Sequence, residues 1–356
     1  MPLERLQLIN FRSFQDKSFK FSSGTNLILG ENGSGKTSVL EALNILLTGN
    51  SFRAKETKEC INSHKDFYNI SLIGKLRDKN LKLKVQNSLI SRPSSKRTLD
   101  DLSVKKEELY FFQLVLAKNL KMIEGEPDLR REFFNELMFH VKPQTKKIYN
   151  QYQRALKQRN KCLKNKLSNS EISLWSKEVS SLGLELSLEQ YDFFKVFKKE
   201  VIKHIEEVVS SGVFAFLDEV DVAFTKGWER TKKLDDSLTE CLERDRAVGY
   251  TSKGPHRMDF TFKVKKKHAS SNLSRGQLKI LILLIFLSSS MMIKSLTNRE
   301  IILLMDDLGA ELDYRNLSSI LQQILKTDSQ IIFTGIEGEE MHKSVAKLTN
   351  FTKINL

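Results

Sequence analysis

Asn26-Leu-Ile-Leu-Gly-Glu-Asn-Gly-Ser-Gly-Lys-Thr-Ser38 is the stretch on which the reading of this chain turns. Gly30, four further residues and then Gly35-Lys36-Thr37 make the phosphate-loop pattern. An apolar run, Leu27-Ile28-Leu29, leads in as a strand; Val39, Leu40, Ala42, Leu43, Leu46 and Leu47 lead out at helical spacing. Glycines let the backbone wrap tightly, so that successive N–H groups point at phosphate oxygens. The helix that follows adds its positive end. Gly30, Glu31, Asn32, Gly33, Ser34, Gly35, Lys36, Thr37 and Ser38 are therefore the candidate ATP-binding loop. Lys36 is placed to reach the β- and γ-phosphates, and the Thr37 hydroxyl to ligate Mg²⁺. A chance glycine-rich turn would lack the strand before it and the helix after it.

The chain has 356 residues, 40% of them hydrophobic, enough for two or three domains with sizeable cores. Its 22 Phe against 2 Trp read as core filling. A net charge of +14 points to a polyanionic partner, nucleic acid or a membrane surface, with solubility alone as the bland explanation. Cys60, Cys162 and Cys241 are isolated, with no CxxC pair. A zinc site or disulfide framework is not expected, and buried thiols in a reducing compartment are. Met-Pro-Leu-Glu-Arg-Leu carries an early acid and no signal-type apolar region. The most apolar run, Ile280–Ile293, contains Ser288, Ser289 and Ser290 and is too short to span a bilayer, so it reads as a buried helix. A soluble, cytoplasmic protein with no membrane partner is the expectation.

Alternation of apolar residues predicts strands around Leu6 and Leu8, Phe19 and Phe21, and Leu27 and Leu29. Leu81, Leu83 and Val85 alternate with Lys82, Lys84 and Gln86, a half-buried strand with a basic face; Ile70–Ile73 is its expected neighbour. Ser91–Arg97 reads as a basic turn. From Pro127 the period turns helical, with two or three long helices over 128–166 and 171–209. Phe214–Phe224 is ambiguous, 234–246 is helical, and Met258–Val264 alternates as a strand. A helix over 277–293, the apolar strand Ile301–Met305, a helix over 314–326 and strands at 330–333 and 351–356 follow. The predicted fold class is α/β: a phosphate-loop ATPase head interrupted by a helical lobe. Its parts are 1–118 (head), 119–245 (helical arm) and 246–356 (head).

Leu273-Ser274-Arg275-Gly276-Gln277, opening an apolar helix, matches the Leu-Ser-x-Gly-Gln signature of the ATP-binding-cassette class. Its free N–H groups and serine hydroxyl suit a γ-phosphate presented from a second copy. The common alternative is an ordinary serine cap. Asp306, ending an apolar strand, is the candidate Mg²⁺ ligand, and Asp307 the residue that orients the attacking water. Most cassette ATPases carry Glu at the second position; Asp is one methylene shorter, so slow hydrolysis is expected. Gly309-Ala-Glu-Leu-Asp313 follows like a D-loop. The switch histidine usual after the next strand is absent from Phe333-Thr334-Gly335. Gln113 is a candidate for the γ-phosphate-sensing glutamine.

Together these residues resemble the RecF family, relatives of the SMC heads with an ABC-type ATPase domain. Asn10-Phe-Arg-Ser13, Ser51-Phe-Arg53, Gly125-Glu-Pro-Asp-Leu-Arg-Arg131 with Phe133 and Phe134, Leu156-Lys-Gln-Arg-Asn160, Leu174-Trp175 and Gly254-Pro-His-Arg257 add to the likeness. Ala117-Lys118 departs from the family's frequent Pro-Glu. His256 is either a packed turn residue or a functional one by resemblance alone. The resemblance implies an ATP- and Mg²⁺-dependent homodimer that clamps DNA, double-stranded or at single-strand gaps. It implies a weak, DNA-stimulated ATPase whose slow hydrolysis releases the clamp. It also implies RecO and RecR as partners, RecA loading, replication restart and SOS induction. Candidate phosphate-backbone contacts are Arg53, Lys82, Lys84, Arg92, Lys96 and Arg97, each otherwise a solvated surface residue. Two other readings stay open: a chromosome-organising SMC-like ATPase, which needs far longer heptad arms, and a transporter's ATPase subunit, which normally keeps the switch histidine. A nuclease would need a further cluster of metal ligands.

Overall fold

The computed structural model describes residues 2–105, 108–309 and 312–356. The chain forms two compact units, one of residues 1–118 with 298–356, the other of residues 119–297. The first unit opens with β1 (Leu3–Phe11), β2 (Phe14–Lys20), β3 (Thr25–Leu29), α1 (Lys36–Thr48), β4 (Phe67–Leu76), β5 (Lys79–Ser88), β6 (Ser94–Leu99), β7 (Leu102–Ser103) and β8 (Phe111–Val115). The second unit holds α2 (Lys121–Glu124), α3 (Pro127–Val141), α4 (Thr145–Lys164), α5 (Asn169–Ser210), β9 (Val220–Thr225), α6 (Leu234–Glu240) and α7 (Leu242–Val248). It ends with β10 (Asp259–Val264), β11 (Lys267–His268), α8 (Ala269–Asn272) and α9 (Arg275–Thr297). The chain then returns to the first unit with β12 (Ile301–Met305), α10 (Tyr314–Leu325), β13 (Gln330–Gly335), α11 (Glu340–Leu348) and β14 (Phe351–Asn355).

In the first unit a parallel sheet has the order β14-β3-β13-β12-β8. β3, β12 and β13 are buried at every residue. Parallel strands covered on both faces read as continuous apolar runs, so the alternation read at Leu27 and Leu29 gives way to uniform burial. An antiparallel sheet, β2-β1-β4-β5-β6-β7, forms the second layer. α1 is buried from Ser38 to Leu47. Val39, Leu43 and Leu46 share one core with Leu8, Leu72 and Leu83 of the antiparallel sheet and Ile302 and Ile332 of the parallel sheet. The helix that starts at the phosphate loop is thereby gripped from both sides. Ser94–Arg97, the second half of the expected turn, belongs instead to the strand Ser94–Leu99: its backbone pairs with β5, Lys84 opposite Lys96. Polar side chains on an exposed strand leave no apolar alternation to read.

In the second unit α3, α4 and α5 carry the helical periodicity that begins at Pro127. α5 opens with a capping box between Ser168 and Glu171. Mid-helix Gly183 permits close packing, since a Cβ there would meet Leu234 Cδ2 at 2.6 Å. The phenylalanines do fill a core: Phe134 lies 5.0 Å from Phe193 and 5.6 Å from Phe260, centroid to centroid. α9 is longer than its apolar run suggests and is long and apolar enough to cross a membrane, yet Leu278–Ser290 is buried. The Phe133 and Phe286 rings are 4.9 Å apart, and His204 Nδ1 is 2.7 Å from Ser288 Oγ, fixing α9 to α3 and α5. These contacts explain why residues 246–297, expected with the head, are compact with the helices instead.

Two polar clusters pin the second unit. Arg159 and Asp245, both fully buried, pair at 2.8 Å, and Arg159 also donates to Thr251 Oγ1 at 2.7 Å. His256 sits with Nδ1 at 2.6 Å from the Tyr152 hydroxyl and Nε2 at 3.0 Å from the Thr251 carbonyl. Nε2 donates to that carbonyl, and because burial disfavours the charged ring, Nδ1 is left to accept from the Tyr152 hydroxyl. Burial holds the imidazole down to about 4. His256 is a packed residue here.

Between the ordinary histidine value and about 4, the unfolded chain binds a proton that the folded chain refuses, so stability falls as pH drops through this window. Wild type should lose about 2 kcal/mol more than His256→Asn between pH 7 and pH 5. Urea unfolding of both proteins at the two pH values measures this; equal losses would remove His256 as the cause.

Candidate functional site

β3, β13 and β12 are parallel neighbours, so their carboxyl ends open together onto a cleft of about 760 Å³. Open parallel sheets bind ligands at this edge. Asn32, Gly33, Gly35, Lys36, Thr37 and Ser38 line it from the loop after β3, Asp306 and Asp307 from the end of β12, and Thr334 and Gly335 from the end of β13. Gly33 and Gly35 have φ of 84° and 105°, the left-handed region that a Cβ disfavours. Gly35 also abuts Phe14, whose Cζ would stand 2.7 Å from a Cβ. Lys36 Nζ donates to the carbonyls of Gly30 at 2.6 Å and Glu31 at 2.9 Å, folding the ammonium back over the loop. The buried Ser34 Oγ has no hydrogen-bond partner among the described residues.

Asp306 is gripped twice. The Thr37 hydroxyl donates to its Oδ2 at 3.0 Å, and the Thr334 hydroxyl donates to its Oδ1 at 2.8 Å. Thr334 Oγ1 in turn accepts the Asp307 N–H at 2.9 Å. Asp307 has a φ of 51°, which aspartate tolerates better than most residues. One threonine hydroxyl, at the place where a switch histidine is missing, thus ties both acids to β13. Sequence reasoning missed Thr334; the register of β13 on β12, Phe333 against Met305, is what places it.

A second network backs the cleft wall. Glu41, within the buried stretch of α1, is fully buried and receives two bonds from Arg12, at 2.9 Å and 2.7 Å, and one from Ser51. Burial alone would raise this carboxyl; the Arg12 and Ser51 hydrogen bonds outweigh it and hold it below the usual carboxylate range. Burial and Glu41 together push the neighbouring Cys60 thiol up to about 12, an inert thiol. Cys60 and Cys162 are buried as expected, whereas Cys241 is half-buried.

Several candidates lie elsewhere. Gln113 stands mid-strand in β8, paired with Leu303, and does not line the cleft; Ala117, at the end of the same segment, does. Arg53, read as a DNA contact, lines the cleft, with Nη1 3.4 Å from Ser38 Oγ and 3.8 Å from Glu41 Oε2. Lys82, Lys84 and Lys96 are exposed, and Lys84 lies directly across from Lys96. Like charges so placed repel one another. Lys82 is paired with Asp101 at 2.9 Å. Arg97 faces the other side of the sheet, opposite Leu83, and Arg92 sits in the β5–β6 connection. The basic face is therefore Lys82, Lys84 and Lys96, not the whole set.

In the second unit, Ser274 and Gln277 cap α9 reciprocally: Ser274 N–H donates to Gln277 Oε1 at 2.9 Å, and Gln277 N–H to Ser274 Oγ at 3.3 Å. Arg275 is exposed and Gly276 half-exposed beside them. Asp313 caps α10, accepting from the Asn316 N–H at 2.9 Å; Ala310 and Glu311 of the D-loop stretch lie outside the described residues. The donor set of the cleft fits a Mg²⁺-nucleotide. Thr37 Oγ1 and Asp306 Oδ2, 3.0 Å apart, match adjacent corners of an octahedron with ligands at about 2.1 Å. Gly33, Gly35 and the unpartnered Ser34 Oγ leave room and a hydrogen-bonding group for phosphate oxygens.

Residues 2–355 match the family model described as the RecF/RecN/SMC N terminal domain. Proteins named DNA replication and repair protein RecF are 32% identical in Teredinibacter turnerae, with 95% of this chain and 89% of that protein covered. In Pseudoalteromonas atlantica the figures are 31%, 96% and 94%. Among solved structures, the recombination mediator protein RecF-ATPrS in the RecFOR pathway superposes with a TM-score of 0.81 at 20% identity, over 95% of this chain and 93% of that one. An Smc head bound to the C-winged helix domain of ScpA superposes with a TM-score of 0.52 at 16% identity, over 96% and 91%. The two likenesses speak for the fold, an ABC-type, SMC-head-like ATPase fold with a helical insertion. With the family model matched over almost every residue and RecF proteins above 30% identical along nearly their whole length, this chain belongs to the RecF family.

Proposed function

We propose that this protein is an ATP-switched DNA-binding protein of replication and recombinational repair. The observation that carries the reading is the grip of Thr37 and Thr334 on Asp306 at the mouth of the phosphate loop. ATP bound there with Mg²⁺ supplies the cleavable phosphoanhydride. Lys36 and the loop N–H groups would hold its phosphates, and Thr37 and Asp306 the ion. Asp307, held through its backbone by Thr334, would orient the attacking water. The shorter Asp side chain at that position favours slow turnover. The capped and exposed N-terminus at Ser274–Gln277 would complete the site of a second copy, so that ATP joins two heads. Asp313 would lie at that seam. Lys82, Lys84 and Lys96 would supply sequence-independent contacts to DNA phosphates. RecO and RecR as partners, RecA loading at gaps and SOS induction belong to the same proposal, which family membership supports. Gln113 as the γ-phosphate sensor has no support from its mid-strand position.

Lys36→Ala should weaken ATP binding at least tenfold, because the phosphate charge loses its one loop ammonium; calorimetry with unaltered affinity would defeat the loop assignment. Thr334→Val keeps shape but removes both hydrogen bonds to the acids. One charge-assisted bond of about 1.5–3 kcal/mol corresponds to a turnover drop of roughly tenfold or more. Nucleotide affinity without Mg²⁺ should stay within about threefold, and Thr334→Ser should restore the rate. Normal turnover in the valine variant would remove Thr334 from the site. For the dimer, the measurement is binding of a labelled gapped duplex with and without ATP. ATP should tighten wild type steeply, and Ser274→Arg should keep ATP affinity yet lose that gain. ATP-independent DNA binding in wild type would overturn the clamp.

A further inference from the structure

A second cleft, of about 900 Å³, lies wholly within the helical unit between α5 and β9. Its floor is apolar, formed by Phe194, Ile202, Val222 and Phe224. Its rim is cationic: Lys195, Lys198, Lys199, Lys203, Lys226 and Arg230 against only Glu206 and Asp221. Three of the cations are already paired, Lys198 with Asp221 across the cleft at 2.5 Å, Lys195 with Asp192 at 2.7 Å and Lys203 with Glu207 at 3.9 Å, so the charge open to a partner rests on Lys199, Lys226 and Arg230. β9 is the outer strand of the sheet β11-β10-β9, so one edge of its backbone has no strand beside it among the described residues. Burial and the nearby Arg230 hold Lys226 below the ordinary lysine range.

We propose that this groove takes an acidic, extended segment of a protein partner, added as a strand to the free edge of β9. Edge addition provides backbone hydrogen bonds; alternate side chains then fall into the groove. Here one side of such a strand would meet the apolar floor, and the other would set its carboxylates among the rim cations. Single-stranded nucleic acid, the other polyanion of suitable width, needs free aromatic faces for its bases. Most of the faces here are taken, and only Tyr191, 47% exposed, keeps open ring surface. Lys195 Nζ covers the Tyr191 ring at 5.3 Å, Lys226 Nζ covers the Trp228 ring at 4.5 Å, and Phe224 stacks on Phe194 at 4.7 Å. Trp228 is further fixed by its Nε1–H bond to the Lys232 carbonyl at 3.1 Å.

The test uses the full chain and a fluorescein-labelled peptide, Glu-Val-Asp-Val-Glu-Phe-Glu-Val-Asp, followed by anisotropy. Wild type should bind it, and the exposed pair Lys199→Glu with Arg230→Glu should weaken it at least tenfold. The same peptide N-methylated at alternate residues keeps its charge but loses edge donors, and should also weaken at least tenfold. Thermal melts and ATP affinity of the double variant should match wild type, since neither residue touches the nucleotide cleft. No binding by wild type, or equal binding by the double variant or the methylated peptide, would overturn the proposal. A labelled thymidine oligonucleotide that loses binding in the variant while the peptide does not would reassign the groove to nucleic acid.

Discussion

The grip on Asp306 is a constraint from which much of the first unit follows. A carboxylate at the mouth of an apolar strand must be neutralised by hydrogen bonds or by a cation. Here the bonds come from two elements that meet Asp306 only because β12 pairs with β13 and α1 is clamped between two sheets. A shift of β13 by one residue would turn Thr334 away and bring in Phe333 or Gly335. Uniform burial of β12 and β13 guards against that shift, because any slip would move a block of large aliphatic side chains out of a filled core.

The acids and the loop share a further dependence. Arg12 reaches across from the end of β1 to neutralise Glu41, and Glu41 lies on the same helix that begins at Lys36. An unpaired carboxylate on a buried helix would be costly by several kcal/mol, so the end of β1, the segment around Ser51 and α1 are bound into one wall of the cleft. That wall is built from residues distant in sequence.

What was legible in the sequence was local. The phosphate loop, the apolar β12 ending in Asp306-Asp307, the Ser274 cap and the helical run from Pro127 each declare themselves within a dozen or so residues. What escaped depended on register. Thr334 is an ordinary residue until pairing sets it against Asp306. Arg97 joins Lys96 in sequence but points the opposite way, because successive strand residues alternate faces. Arg53 looks like surface charge in a basic chain, and only the fold turns it toward Ser38. Gln113 is of the right type for a sensor, but lies inside a strand rather than at its end. A boundary at 245 separates α9 from α3 and α5, on which it packs, and the chain divides at 297 instead.

The insertion between β8 and β12 has a consequence for synthesis. β3 is flanked in the finished sheet by β13 and β14, whose residues follow it by about three hundred positions. At about 5–20 residues per second, the ribosome takes roughly 15–60 s to supply those neighbours. During that interval β3 has neither edge covered, and the apolar face of α1 has only half its layers. The helical unit, continuous in sequence, can close on the ribosome while the two ends of the ATPase unit wait for each other. A nascent chain of this design spends its longest vulnerable period holding open the very strand that leads into its phosphate loop, and is exposed to edge-to-edge pairing with other chains until the last strand arrives.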